Sequence, residues 1–402
     1  MKQKLFYFYL LSFSIAVLMQ QQVRAQQMVV DSSLLDRINA LEQRDSYRHE
    51  SDDHFMVAGL ATLGFASSKT TNTVGGTSTV NKSNSFPDAD NFEVSPMLLW
   101  RHGKKFLVEF EPSFNADGLT VNWGDVSWFA APGLIVRGGY LVLPYGTYSK
   151  REAAGWIDKL ATDPMGIADM APTDFGVEVE GGLPMGNMKM SYDVALSNGN
   201  QLLPDGTLSS GNFIDNNKNK TVTARFALLP FSNSSLELGV SGMFGKVGDE
   251  GSAWQSKSSQ SYAFDLNYVH LFSPVLLNIK SQYNIQNIDK TDLINPADST
   301  TYTFKNKTNG FFAQASLRPT GANSFIKDLE IAGRYTQFNT PSGSTFGADQ
   351  HSLSVGLDYW FSWRAVFKIT YEAYKGKSTA FGDNNTGNTT TNSLFVHFAI
   401  QL

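Results

Sequence analysis

From His54 to Leu402 apolar and polar residues alternate with a period of two in one segment after another, and beyond Met19 no run reaches the ~18 apolar residues of a spanning helix. A chain of this kind can enter a bilayer only as a closed β-barrel, because lipid offers no partner to an unpaired backbone amide. In 105–115, Phe106, Val108, Phe110 and Phe114 share one face, and Lys105, Glu109, Glu111, Ser113 and Asn115 share the other. In 365–373, Ala365, Phe367, Ile369, Tyr371 and Ala373 oppose Lys368, Thr370 and Glu372. Such segments number about 16.

The connections carry an independent signal. Short turns fall at His102-Gly103, Ala131-Pro132-Gly133, Pro184-Met185-Gly186, 230–233, Ser273-Pro274, 319–327 and 362–364, and most contain Pro, which cannot donate to a strand ladder. Longer polar stretches lie between them at about 67–90, 147–170, 199–219, 247–259, 286–307, 340–349 and 376–391; only the connection near Asn115–Gly118 is short. Alternating long and short connections are those of an outer-membrane barrel, with long loops outside and tight turns in the periplasm. A soluble β-sandwich would need two domains for this many strands, and no linker divides the chain. Trp123, Trp128 and the Tyr359-Trp360-Phe361 cluster with Trp363 suit aromatic girdles at the bilayer interfaces.

The expected fold class is therefore all-β: an antiparallel transmembrane barrel of about 16 strands over residues 54–402, preceded by a short helical segment. Residues 1–25 read as a secretory signal, with Lys2 and Lys4 before the apolar run Leu5–Met19 and Val23-Arg24-Ala25 at the cleavage position. Residues 26–53 read as a periplasmic leader in which Leu34, Ile38 and Leu41 are spaced as in a short coiled-coil seam. The expected location is the outer membrane of a Gram-negative cell.

Composition excludes several classes of function. Charged residues are 17% of the chain and aromatic residues 13%, the balance of a chain that shows lipid one face of every strand; mean hydropathy is only −0.22 because the other face is polar. Absence of Cys removes disulfide scaffolds, thiolate metal sites and a Cys nucleophile. Loss of Lys2, Lys4 and Arg24 with the signal leaves 29 basic against 37 acidic residues, which argues against a nucleic-acid partner.

In a barrel the functional chemistry is the inner wall. With the apolar faces toward lipid, Arg101, Lys105, Arg137, Lys189, Arg225, Lys280, Arg334 and Lys368 turn inward, together with Glu93, Glu109, Glu111, Glu178, Glu180, Asp193, Asp265, Glu330 and Glu372. Mixed signs describe a hydrated lumen, and many of these charges are expected to pair across neighbouring strands. The stretch 147–170 follows the fifth strand and carries Lys150, Arg151, Glu152, Asp158, Lys159, Asp163 and Asp169 around Trp156; folded inward, it would constrict the pore.

The segment VRGGYLVLPYG (Val136–Gly146) resembles a signature of the phosphate-selective porin O and P family, which includes dicarboxylate-type trimeric porins. Asp174–Gly181, Ser197–Gly199, Gly310–Pro319, Arg334–Phe338 and Gly356–Tyr374 resemble further family segments in the same order. The resemblance implies a 16-stranded homotrimeric porin with the loop after strand five as its constriction. Two departures stand out: the inward charges are mixed where the family has a basic ladder, and the chain ends on Leu402 where relatives end on Phe. The implied function is passive diffusion of small polar or anionic solutes, with outer-membrane lipid and lipopolysaccharide as surroundings and no cofactor. The alternatives are an outer-membrane barrel enzyme of phospholipase or protease type, or a structural or adhesive protein. The His residues at 49, 54, 102, 270, 351 and 397 are scattered, and His351 near Ser352 and Ser354 is the only catalytic hint. Asp88, Asp90 and Asn91, like Asp383, Asn384 and Asn385, read as turn formers more readily than as a Ca²⁺ site.

Overall fold

Each long segment of period-two alternation becomes one stave of a closed antiparallel barrel. The computed structural model describes residues 53–402 apart from 89–91, 152, 168–169, 171–172, 210, 212–214, 216, 296–298, 322–323 and 382–386. The signal peptide and leader expected over 1–53 lie outside the described residues, save Asp53.

The strands are β1 (His54–Val74), β2 (Thr77–Ser85), β3 (Glu93–His102), β4 (Phe106–Asn115), β5 (Gly118–Ala131), β6 (Leu134–Val142), β7 (Thr173–Met185) and β8 (Met188–Ser197). After them come β9 (Gln201–Leu202), β10 (Leu208–Ser209), β11 (Thr221–Leu229), β12 (Leu236–Lys246), β13 (Ser258–Phe272), β14 (Val275–Ile288), β15 (Leu293–Ile294) and β16 (Thr301–Tyr302). The series ends with β17 (Lys307–Pro319), β18 (Leu329–Asn339), β19 (Ala348–Ser362), β20 (Ala365–Ser378) and β21 (Asn388–Gln401). Each stave pairs with the next, and β21 pairs back onto β1 from Leu60↔Gln401 to Thr73↔Asn388, which leaves no open edge. Both β2 and β3 pair with β1, at its two ends, and form one interrupted stave, so the barrel has sixteen.

The staves reproduce the sequence parity. Phe226, Val240, Phe264, Tyr283 and Phe311 are register partners in a row across five consecutive staves, and the first four are exposed. An exposed apolar row this continuous is the surface that the lipid-facing side of a membrane barrel presents. On the opposite parity Arg225, Ser241, Asp265, Gln282, Gln314, Arg334, Ser354 and Lys368 are buried. The barrel interior is thus mainly polar, and the one inserted segment packs Leu143, Tyr145 and Met170 against Met243 and Ala263 within it.

All seven expected short turns fall at one end of the barrel, and the longer connections fall at the other. One expectation is corrected. The polar stretch near 67–90 is not a loop up to residue 85, because β1 and β2 pair from Ala66↔Ser85 to Val74↔Thr77 and close at Gly75-Gly76, both with positive φ. Its Thr and Val residues are β-branched and strand-forming although they supply no hydrophobic alternation. The stretches at 199–219 and 286–307 contain the hairpins β9–β10 and β15–β16. Around them Leu202, Val247 and Ile288 pack with Trp254, as do Leu293, Tyr302 and Phe304, so the long loops cohere at that end.

Candidate functional site: a loop folded into a charged lumen

Between β6 and β7 the chain turns inward and crosses the lumen. Tyr145 donates its hydroxyl to the Tyr262 carbonyl at 2.9 Å, and the Thr147 and Tyr148 amides donate to the Gln282 carboxamide oxygen at 2.9 and 3.1 Å. The loop opens with a single helical turn, α1 (Tyr148–Arg151). Two glycines allow the docking. A Cβ on Gly146, at φ 69°, would meet the Gln282 side chain at 2.1 Å, and one on Gly166, at φ 67°, would meet the Phe338 ring at 2.0 Å. Gly166→Val is therefore expected to displace the returning limb of the loop, read as noisier open-channel current with no change in barrel β-content by circular dichroism.

The far end of the loop is anchored by a buried charge cluster. Asp158 sits 3.3 Å from the Arg334 guanidinium and accepts from Gln314, also at 3.3 Å; its Oδ2 lies 2.8 Å from the Tyr148 hydroxyl. Lys368 donates to the backbone carbonyls of Asp158 and Leu160 at 2.6 and 3.2 Å. Arg334 also donates to the Thr162 carbonyl and hydroxyl. Burial alone would raise the Asp158 carboxyl, but Arg334 and Lys368 beside it hold it below its ordinary range. Trp156 packs against Trp360, Val366 and Ala399, and Lys159 lies over the Trp360 ring and 3.4 Å from Glu330.

The near end faces a different wall. Along β4 to β13 the inward positions form a charged belt: carboxylates Glu109, Glu111, Asp125, Glu178, Glu180, Asp193, Glu237 and Asp265, with the cations Arg137 and Arg225. Arg137 bridges Asp125 at 2.6 Å and Glu109 at 3.2 Å, and Arg225 bridges Asp265 at 2.6 Å and Glu237 at 2.8 Å. Lys150 of the loop enters the belt, contacting Glu178 and lying 2.9 Å from Glu180 and 3.9 Å from Asp193. Its burial would lower the ammonium, yet these carboxylates hold it above its ordinary range. Arg151 reaches Glu237 at 3.0 Å and stays 45% exposed. Arg151, Glu180 and Asp193 also line an open cavity beneath the loop, walled by Ile135, Gly182 and Ser191.

Solved structures share this architecture. An anion-selective porin from Comamonas acidovorans aligns with 87% of this chain and 100% of its own, at 14% identity and TM-score 0.53. The outer membrane channel DcaP of Acinetobacter baumannii aligns with 87% and 97%, at 8% identity and TM-score 0.53. OmpF of Salmonella typhi, solved with daunomycin, aligns with 87% and 97%, at 13% identity and TM-score 0.50. The fold is a porin fold. No protein-family model and no curated protein matches the chain.

Within this porin-like barrel the expected lining residues separate into three groups. Lys150, Arg151, Arg137 and Arg225 meet in the belt; Asp158, Lys159, Asp163, Arg334 and Lys368 meet where the loop docks, with the Tyr148 hydroxyl 2.8 Å from Asp163. Arg101, Lys105 and Lys189 are a correction: all three are exposed at the short-turn rim. Arg101 donates to the Gly103 carbonyl, Lys105 lies in the β3–β4 turn, and Lys189 donates to Ser234. Parity assigns a face but no depth, and these residues sit where their staves end. The catalytic hint also dissolves, since His351 points outward while Ser352 and Ser354 point inward. Sequence reasoning did not find the pair His397–Asp88, at 2.8 Å, which holds Asp88, just beyond β2, against the inner face of β21. Nothing in the local pattern joins residues so far apart in the chain.

Proposed function

We propose that this protein is an outer-membrane porin through which small polar solutes diffuse passively, with the segment 147–170 as its constriction. The observation that carries the reading is the loop docked inside a lumen lined with charged side chains. A barrel that served only as an anchor would have no use for a segment held across its bore by ion pairs from both walls. The lipid-facing apolar belt supports insertion in a bilayer, and the signal-like N-terminus supports export. Resemblance to the phosphate-selective porin O and P family supports a homotrimer, which native electrophoresis of the detergent-extracted protein should show as a heat-sensitive band at three times the monomer mass.

Purified protein added to planar bilayers is expected to give stepwise, ohmic current increments. A pure, folded preparation that inserts without conductance would sink the porin reading. An enzyme on the same scaffold would instead turn over lipid or peptide.

A further inference from the structure

We propose that the channel passes cations in preference to anions, an inference that rests on the porin reading above and departs from the anionic solutes implied by family resemblance. Along β4 to β13 the described belt carries eight carboxylates against Arg137 and Arg225, with only Lys150 and Arg151 added by the loop. Two carboxylates face each cation there. The remaining cations do not redress the balance. Arg334, Lys368, Lys280 and Lys159 gather where the loop docks, and Asp158, Asp163, Glu330, Asp358 and Glu372 answer them there. The open cavity beneath the loop is lined by Glu180 and Asp193 with Arg151, and Glu109, Glu180 and Glu237 are the belt carboxylates that stay partly exposed, so the preference rests on the net charge of the wall.

Surplus negative charge on a low-dielectric wall concentrates mobile cations and depletes anions over roughly one Debye length, about 10 Å at 0.1 M salt and about 3 Å at 1 M. The preferred solutes are therefore small monovalent cations and polar molecules bearing an amine. Selectivity set by wall charge has a further signature: it weakens as salt rises, whereas exclusion by size does not.

The test is the reversal potential of the full-length protein in neutral phosphatidylcholine bilayers across a potassium chloride gradient. Potassium is expected to be several-fold more permeant than chloride at 0.1 M and less favoured at 1 M. Channels that open with chloride equal to or ahead of potassium would overturn the proposal while leaving the porin reading intact; absence of any conductance would remove both. Glu109→Gln with Glu180→Gln, both partly exposed carboxylates, should bring the permeability ratio toward one. An unchanged ratio in a variant of normal conductance would assign selectivity elsewhere and overturn the proposal.

Discussion

Asp158→Ala is expected to undock the constriction loop and raise single-channel conductance several-fold. The wild-type carboxylate lies 3.3 Å from a guanidinium that is itself 1% exposed, so its removal leaves Arg334 buried without its counter-charge. Breaking one side of a buried pair costs about 3–5 kcal/mol. Hydrogen bonds from Lys368 to the Asp158 and Leu160 carbonyls are independent of the side chain and offset part of that loss. Since the native chain has no Cys, Ala161→Cys provides a direct reporter: Ala161 is 3% exposed and its amide donates to Thr370. The introduced thiol should resist a water-soluble maleimide when Asp158 is present and react rapidly when it is absent. Equal protection and equal conductance in both backgrounds would show that the loop is held by its apolar contacts.

Lys150→Ala should make the conductance sensitive to divalent cations, where the wild type is not. Glu178, Glu180 and Asp193 offer carboxylate oxygens within 4.8 Å of one another, and in the native protein the Lys150 ammonium fills the space between them. Without it the repulsion among the carboxylates is relieved by an external cation. Oxygen sites of this modest kind bind Ca²⁺ with dissociation constants on the order of 10⁻³ M. Millimolar CaCl₂ should then reduce current through the variant and leave the wild type unaffected. A variant as indifferent to Ca²⁺ as the wild type would show that the acidic groups separate or take up protons once the lysine is gone.

Much of the barrel was legible before any coordinates. A strand has two faces and a barrel has one inside, so alternation alone placed Arg137, Arg225, Arg334 and Lys368 on the inner wall and Phe106 and Phe110 on the outer one. Pro and Gly at the short turns marked the stave ends because neither sustains a ladder. Where hydrophobic contrast was weak the reading failed, as in the Thr- and Asn-rich hairpin of β1 and β2. Depth along the bore was equally illegible, which is why Arg101, Lys105 and Lys189 were placed in the lining and lie instead at the rim.

The candidate site divides along the same line. Length, charge and position after the fifth stave singled out residues 147–170, and those are local properties that a chain carries whether folded or not. Closure decided the partners. Asp158 meets Arg334 and Lys368, and Lys150 meets Glu178 and Glu180, only because sixteen staves bring distant walls to within one loop's reach. The sequence by itself determined a sheet with one apolar and one charged face. Only the tertiary structure decided which cations are spent under the loop and which carboxylates still face the water, because that depends on burial, and burial belongs to the closed barrel and not to any one strand.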